Sequence, residues 1–359
     1  MNDEPGRREK FLHHVRYFDA SVRYPVPFVG FTGRPGHCPE HQCLPYDAAG
    51  FLNAEPAGHR TDPNEIRIFV LGDSTMLDGA SWQDLVPGRL QDLLRATCSD
   101  RVRVFNFGVV SSCTEQMCAL IWTRLLDLDP DVLIVLSGGT DAFLPLTFDP
   151  RPGYPYNAFL IEYLYAHYFS ETNDRSWQSG LDYDGVIDGA FDLLRQSRQR
   201  VDYGSPDWEA SVARSYEASL RKFVRLARAV DIPVFYALEP IVVRKRSLEP
   251  AEASLASPGT LAYLTRLYDR FEAALTDLRV RSLPGNLHLI DASRVLTDVG
   301  PGLFTNVVHY DGAGRATVSQ FLADNVFDAV RRCSDGGRRG DATAWFRSVF
   351  RRPLLRTAR

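Results

Sequence analysis

The stretch "FVLGDSTMLDG", residues 69–79, ends an apolar run with Gly-Asp-Ser and meets a second glycine five residues after the serine. The run Ile66–Leu71 is short and rich in Ile, Phe, Val and Leu, which predicts a buried parallel strand. Gly72 and Gly79 allow a tight backbone path, so we expect Ser74 in a turn that enters a helix. Such a serine is either a nucleophile, if a base lies within hydrogen-bond reach, or the N-cap of that helix.

Strand and helix patterns alternate along the rest of the chain. The further strand candidates are Val102–Phe107, Val132–Leu136, Val234–Leu238 and Leu287–Ile290. The helix candidates are Trp82–Leu94, Glu115–Leu126, Glu209–Val230, Leu261–Leu278 and Gly314–Val330. This alternation predicts an α/β fold with a doubly wound parallel sheet of about five strands and right-handed crossovers. Ligands bind such sheets beyond the carboxyl ends of the strands, where Ser74 is expected.

Two long segments do not follow the alternation: residues 1–65 and residues around 142–208. We expect 1–65 to pack on or cap the core, and 66–330 to form the main domain with a cap insertion around 142–208. The insertion contains "GYPYNAFLIEYLYAHYF" (153–169), which is either a lid or substrate wall, or a helical excursion packed by its aromatic rings.

The tail, residues 331–359, carries nine arginines and two aspartates. Trp345, Phe346, Val349 and Phe350 add an apolar stripe, so the tail is predicted as a basic amphipathic segment. It either docks on the domain or binds an anionic membrane surface or an acidic carrier protein.

The composition of the chain indicates which classes of partner and which cellular location to expect. The chain has 359 residues, a formal net charge of −4 and a pI near 6.1, so nothing in its overall charge suggests nucleic acid; small molecules or proteins are the expected partners. No segment approaches the ~20 apolar residues that span a bilayer, and no apolar stretch follows the charged start, which favours a cytoplasmic location. The preference for arginine over lysine is attributed to a GC-rich bacterial genome.

Cofactor and metal signals are weak. No P-loop motif is present, and "DGAGRAT" (311–317) is only a partial dinucleotide fingerprint, so no cofactor is expected. The loop "GHCPEHQC" (36–43) holds two histidines and two cysteines, yet its spacing is not that of a zinc knuckle, and an ordinary surface loop is favoured over a metal site or a disulfide. The six scattered cysteines are expected to be reduced thiols.

Three further stretches bring polar residues to strand ends or near the C-terminus. "VFNFGVVSSCT" (104–114) places Asn106 and Gly108 after a strand, and "VLIVLSGGTDAF" (132–143) places Thr140 and Asp141 after the next one. "FTNVVHYDGAGR" (304–315) supplies His309 just before the last helix.

This order of blocks resembles the SGNH, or GDSL-type, hydrolase family over residues 66–330. The resemblance implies a flavodoxin-like three-layer core, with Ser74 as nucleophile and His309 as general base. It also implies an oxyanion hole formed by the N–H groups of Ser74 and Gly108 with a contribution from Thr140. Asp73, Asn106 and Asp141 are expected to support the site.

Two positions depart from the family pattern. Thr140 stands where the family has the oxyanion asparagine, and Asn306 stands where it has the aspartate three residues before the histidine. Asn306 can accept from the imidazole N–H but cannot stabilise an imidazolium as a carboxylate does. Asp141, Asp291 and Asp311 are alternative carboxylates for this role, and the sequence does not rank them.

The resemblance implies a serine-dependent acyl or ester hydrolase acting on a small-molecule ester through an acyl-enzyme on Ser74. Two alternatives stay open. One is an SGNH-fold acyltransferase that passes the acyl group to an amine or alcohol in a biosynthetic pathway, and the other is a binding protein that has lost catalysis.

Overall fold

A computed structural model describes residues 23–38, 44–156, 158–164, 183–300 and 302–335. Its strands are β1 (Tyr24–Val26), β2 (Gly30–Thr32), β3 (Ile66–Leu71), β4 (Val102–Asn106), β5 (Val132–Ser137), β6 (Val234–Leu238) and β7 (Leu287–Asp291). Its helices are α1 (Val86–Thr97), α2 (Thr114–Leu120), α3 (Gly139–Thr147), α4 (Ala158–Leu164), α5 (Tyr183–Arg200), α6 (Pro206–Ala229), α7 (Pro250–Ala253), α8 (Pro258–Arg279) and α9 (Gly312–Ser334). Short 3-10 helices cover Ser74–Leu77, Trp82–Asp84, Leu126–Leu128 and Val242–Arg244, and a π-helical turn covers Ile121–Leu125.

The main sheet has five parallel strands in the order β4-β3-β5-β6-β7. Counted along the sheet's own strands this is 2-1-3-4-5, the flavodoxin-like order, and the predicted fold class is confirmed. All residues of β3 and β5 are buried, as expected for central parallel strands covered on both faces. The carboxyl end of β3, where the order reverses, leads directly into Ser74.

Helices form the two outer layers of the fold. Helices α1 and α9 pack against each other on one face of the sheet, while α6 packs against α2 and α8 on the other face. The helices begin where side chains cap them: the Ser205 hydroxyl accepts the Trp208 N–H before α6, and the Ser257 hydroxyl accepts the Thr260 N–H before α8. These caps explain why both helices start about three residues earlier than their apolar patterns predict.

The predicted helix Trp82–Leu94 is divided in the structure. A 3-10 turn at Trp82–Asp84 ends at Leu85, whose extended backbone precedes α1. Gly88 packs so closely under this turn that an added Cβ would lie 1.8 Å from the Trp82 carbonyl oxygen. The chain therefore changes direction between the 3-10 turn and α1 instead of continuing as one helix.

Residues from the N-terminal segment contact the loop that follows β3. Tyr46 and Leu52 form a small buried cluster with Leu77, Trp82 and Leu85, apart from the main core. The Phe51 ring lies 4.9 Å from the Phe107 ring in an edge-to-face contact. This part of the N-terminal segment thus covers the turn that carries Ser74.

Several predictions fall wholly or partly outside the described residues. They concern residues 1–22, the half of the "GHCPEHQC" loop that holds His41 and Cys43, the aromatic stretch beyond Leu164, and the tail from 336 onward with its expected membrane or carrier-protein partner. Within the described ranges, no helix combines the length and the apolar character that crossing a bilayer would need.

Candidate active site

Ser74 opens the short 3-10 helix Ser74–Leu77 directly after β3. Asp73 caps this turn, because its Oδ1 accepts the Thr75 N–H at 2.9 Å. Gly72 leaves no room for a side chain, since an added Cβ would lie 2.5 Å from Met76 Cγ. The tight turn keeps Ser74 partly exposed while its neighbours on both sides are buried.

His309 reaches Ser74 from the segment that precedes α9. Its Nε2 lies 2.7 Å from Ser74 Oγ, and its Nδ1 lies 2.5 Å from Asp78 Oδ2. Burial of the imidazole opposes protonation, but the hydrogen bond and the charge of Asp78 outweigh it, so the pKa of His309 lies above its ordinary value. Ser74, His309 and Asp78 therefore have the geometry of a Ser–His–Asp triad.

Asp78 was missed by sequence analysis. It follows the 3-10 helix of Ser74 with an extended backbone, four residues after the serine. Gly79 then lets the chain turn under Leu85, where an added Cβ would lie 2.9 Å from Leu85 Cδ2. The sequence signal was an aspartate before a glycine in "STMLDG", within the nucleophile's own block.

Asn306 lies in the turn that carries His309 and does not take the place of the acid. Its Oδ1 accepts the backbone N–H groups of Val308 at 2.9 Å and His309 at 2.8 Å. The turn is closed further by the Thr305 N–H, which donates to the His309 carbonyl at 2.9 Å. The structure thus corrects the expectation that Asn306 orients the imidazole: Asn306 shapes the backbone, and Asp78 contacts the ring.

The three alternative carboxylates make other contacts. Asp311 caps α9 by accepting the Ala313 and Gly314 N–H groups. Asp291 accepts both the N–H and the hydroxyl of Ser293, at 3.0 and 2.6 Å.

The third, Asp141, accepts the Thr114 hydroxyl at 2.6 Å and the Ser137 hydroxyl at 3.1 Å. All three carboxylates are engaged by donors outside the triad.

The N–H groups near Ser74 differ in their partners. Thr75 and Met76 both donate to Asp73, through its side chain and its carbonyl. Among the described residues the Ser74 N–H has no acceptor, so it is available to an oxyanion.

The Gly108 N–H donates to Asn106 Oδ1 at 2.9 Å, and Asn106 Nδ2 donates to the Met76 carbonyl at 2.9 Å. In this geometry Gly108 is held by Asn106 instead of facing an oxyanion.

The loop after Gly108 contains one strained residue. Ser111 has φ +59°, in the left-handed region, which a residue with a side chain adopts at a cost of about 1 kcal/mol or more. Its hydroxyl accepts from Arg23 Nη2 at 3.0 Å, so the N-terminal segment also contacts this loop. Such strain is concentrated at functional sites, and here it lies in the loop next to the nucleophile turn.

Thr140 is turned toward the interior. Its hydroxyl donates to Asp73 Oδ2, and a hydroxyl has a single proton to give. The Thr140 hydroxyl therefore stabilises the buried Asp73, in contrast to the expected contribution to the oxyanion hole.

A group of three carboxyls, here called the acidic cluster, lies behind Ser74: the fully buried Asp73 and Glu239 and the partly buried Asp141. Glu239, at the end of β6, was also missed by sequence analysis. It accepts the Gly139 N–H at the start of α3, and its Oε2 is buried with no hydrogen-bond partner among the described residues. Burial and the neighbouring carboxylates raise its pKa far above the usual value, and burial raises the pKa of Asp141 to about 6.

Within the described part of the chain, no three His, Cys, Asp or Glu side chains are grouped so that they could hold a metal ion. The arrangement of Ser74, His309 and Asp78 is one in which a hydroxyl can act as nucleophile, an imidazole as base and a carboxylate as the group that orients it.

Comparison with known proteins gives low similarity throughout. No protein-family model matches the chain, and no curated protein matches it. The chain is similar to an α/β hydrolase enzyme from the metagenome of Lake Arreo, with 13% identity and a TM-score of 0.41 over 75% of this chain and 96% of that one.

It is also similar to an acetylxylan esterase from Geobacillus stearothermophilus (13% identity, TM-score 0.40, 73% and 94% coverage). A GDSL-like lipase from Bacteroides thetaiotaomicron gives 12% identity and a TM-score of 0.39, over 76% of this chain and 93% of that one.

Proposed function

We propose that this chain is a serine-dependent hydrolase of the SGNH type that cleaves a small-molecule ester through an acyl-enzyme on Ser74. The observation that carries the proposal is the continuous contact from Ser74 Oγ to His309 Nε2, at 2.7 Å, and from His309 Nδ1 to Asp78 Oδ2, at 2.5 Å. A serine becomes nucleophilic when a base within hydrogen-bond reach takes its proton and a third group orients that base.

In the first half-reaction, Ser74 Oγ attacks the ester carbonyl carbon and its proton moves to His309 Nε2. The Asp78 carboxylate stabilises the resulting imidazolium, and the carbonyl oxygen, now an oxyanion, accepts from the Ser74 N–H. When the tetrahedral intermediate collapses, the bond to the leaving oxygen breaks and His309 returns the proton to the alcohol.

In the second half-reaction, His309 takes a proton from a water molecule, whose oxygen attacks the acyl carbon on Ser74. Collapse of this intermediate releases the carboxylic acid and restores the serine hydroxyl with the proton from His309. The cycle consumes one water and needs no other reactant.

The test is labelling of the purified protein with a fluorophosphonate probe, followed by peptide mass spectrometry. We expect modification at Ser74 that is absent in Ser74→Ala and falls at least about a hundredfold in rate in His309→Ala. Ser112→Ala, at a buried serine of the neighbouring loop, is a control that should leave the labelled site unchanged.

A folded protein that shows no labelling above background would contradict the proposal and favour a binding role. If Ser74 is labelled, product analysis with short-chain esters, with and without amine or alcohol acceptors, distinguishes hydrolysis from acyl transfer. Free acid as the sole product in the presence of acceptors is the result expected of a hydrolase.

A further inference from the structure

Arg315, near the start of α9, joins the two chain segments that supply Asp78 and His309. Its Nη2 donates to Asp84 Oδ2 at 2.7 Å and its Nε to the Asp84 carbonyl at 3.0 Å. Its Nη1 donates to the Tyr310 carbonyl at 3.0 Å. All three guanidinium nitrogens are therefore used, and the fixed planar shape of the group sets the geometry of the contacts.

Asp84 in turn holds the loop that follows Asp78. Its Oδ2 accepts the Ala80 N–H at 3.1 Å, and its Oδ1 accepts Arg89 Nη2 at 2.6 Å. Burial opposes ionisation of Asp84, but the hydrogen bonds and charges of Arg89 and Arg315, with the Ala80 N–H, lower its pKa. An ionised Asp84 thus ties the backbone two residues beyond Asp78 to α1 and α9.

Arg315 also makes well-defined contacts with the segment that carries His309. Tyr310, whose carbonyl accepts Nη1, directly follows His309 in the chain. The Arg315 N–H donates to the Asp311 carbonyl at 2.9 Å in the first turn of α9, and the Arg315 side chain is only 13% exposed. One side chain therefore fixes the distance between the acid's loop and the base's segment.

We propose that Arg315 is a positioning residue that, through Asp84, holds Asp78 against His309. Its relevance to catalysis rests on the function proposed above. Asp78 and His309 lie on segments 231 residues apart in sequence, and Arg315 joins these same two segments through another contact between residues 231 apart. Loosening this connection lets Asp78 move away from the imidazole while the rest of the fold stays intact.

The groups around the imidazole determine the sign of the expected change. The charges that act on the imidazole are those of Asp78 and Asp73. The other titratable groups on the neighbouring segments are Asp84 and Arg89 beyond Gly79, Glu239 after β6, and Tyr310, Asp311 and Arg315 on the segment of His309 itself. The contact with Asp78 raises the pKa of His309, whereas the positive charge of Arg315 can only lower it. If Asp78 moves away from the imidazole, the pKa of His309 therefore falls. If only the positive charge of Arg315 is removed, the pKa of His309 rises.

The experiment uses Arg315→Lys, which keeps the charge but cannot make three directed contacts. The titration midpoint of His309 is followed by NMR in the full chain, together with the pH profile of kcat/KM for a short-chain ester. We expect a lower His309 midpoint than in wild type, an acid limb displaced to lower pH, and a fall of about tenfold in kcat/KM.

Arg67→Lys is the matched control. Arg67 is buried at the opposite end of β3, and it likewise joins segments by donating to the carbonyls of Leu128 and Gly58 at 2.6 and 2.7 Å. It is expected to lower the melting temperature without moving the His309 midpoint. If Arg315→Lys fails to fold, Asp84→Glu tests the same connection with Arg315 in place, because it keeps the negative charge but displaces the carboxylate, and it is expected to lower the midpoint too.

An unchanged or raised His309 midpoint in folded Arg315→Lys overturns the proposal, as does an equal fall in Arg67→Lys. The midpoint does not depend on turnover. If wild-type protein shows neither Ser74 labelling nor ester cleavage but the midpoint falls in Arg315→Lys, the proposed function fails and the positioning role stands.

Discussion

Asp73 and Asp78 stand on either side of the Ser74 turn, and the structure uses them in opposite ways. Asp73 is fully buried, and its two oxygens accept the Thr75 N–H and the Thr140 hydroxyl. Asp78 is 31% exposed and contacts His309 Nδ1. The two side chains are chemically identical, so burial and the available donors decide which one holds the turn and which one contacts His309.

The same contrast extends to the regions around them. Behind Ser74, the acidic cluster is enclosed and bonded to backbone and hydroxyl donors of the surrounding strands and helices. In front of it, Ser74, Asp78 and His309 are partly exposed and contact one another. Variants of the rear region should therefore act on stability, and variants of the front region on rate.

The largest expected effect is in the front region. Asp78→Asn preserves the shape of the side chain but removes the charge that stabilises the imidazolium, so kcat should fall by about three to four orders of magnitude. Asp291→Asn is the matched control, because its Oδ1 can still accept from Ser293. Steady-state kinetics of both variants test this, and near wild-type turnover in Asp78→Asn would contradict a role of Asp78 in the front region.

The next effect is in the rear region. Burial and the neighbouring carboxylates raise the pKa of Glu239 and so favour its neutral form, and Glu239→Gln keeps an oxygen that can accept the Gly139 N–H, so it should change the free energy of unfolding by less than about 1 kcal/mol. Glu239→Ala leaves the buried Gly139 N–H without an acceptor and opens a cavity, so it should cost about 3 kcal/mol. Urea denaturation distinguishes them, and an equal loss in both variants would contradict the expectation that an amide can replace the Glu239 carboxyl.

Thr140 belongs to the rear region, because its hydroxyl donates to Asp73, and its variants are expected to have a smaller effect. Thr140→Val removes the donor to Asp73 and should cost about 2 kcal/mol of stability, while Thr140→Ser restores most of it. In kcat, Thr140→Val should lose less than the roughly 10²–10³ that follows loss of an oxyanion donor. A loss in that larger range, without a loss of stability, would return Thr140 to the oxyanion hole.

The smallest effect is expected in the pH dependence of stability. The folded pKa of His309 is raised, so its contribution is fully present below the unfolded value of about 6.5 and is lost as the pH rises through the folded pKa. Asp78→Asn removes the main cause of this shift. Melting temperatures measured from pH 5 to 9 should therefore converge for wild type and Asp78→Asn at high pH, and a gap that widens with pH would contradict the assignment.

The sequence predicted the five core strands because buried parallel strands are short, continuous apolar runs, such as Ile66–Leu71. It also paired Ser74 with His309, which the structure brings to 2.7 Å, because ordered blocks carry more information than either residue alone. Asp78 was missed because the acid was sought at position 306 and among Asp141, Asp291 and Asp311, and not in the block of Ser74 itself, 231 positions before His309.

Hydrogen-bond partners of single residues were the least predictable feature. The Gly108 N–H and the Thr140 hydroxyl are taken by Asn106 and Asp73, and which donor meets which acceptor depends on tertiary packing. Glu239 follows an apolar strand in "YALEP", a pattern typical of an exposed loop, yet it is fully buried against α3. The first N–H groups of a helix have no acceptor within the helix, and the sequence alone does not show which side chain will accept from them.

The proposed nucleophile and the carboxylate that contacts His309 occupy one stretch of five consecutive residues, Ser74 to Asp78. Two of the three groups proposed for catalysis therefore lie on one short turn, and only the imidazole has to be brought to them from a distant part of the chain. Because Asp78 contacts the imidazole, position 306 does not need a carboxylate, and Asn306 instead accepts backbone N–H groups in its own turn. In a His309→Gly variant, free imidazole diffusing into the gap would meet a hydroxyl and a carboxylate that are already aligned.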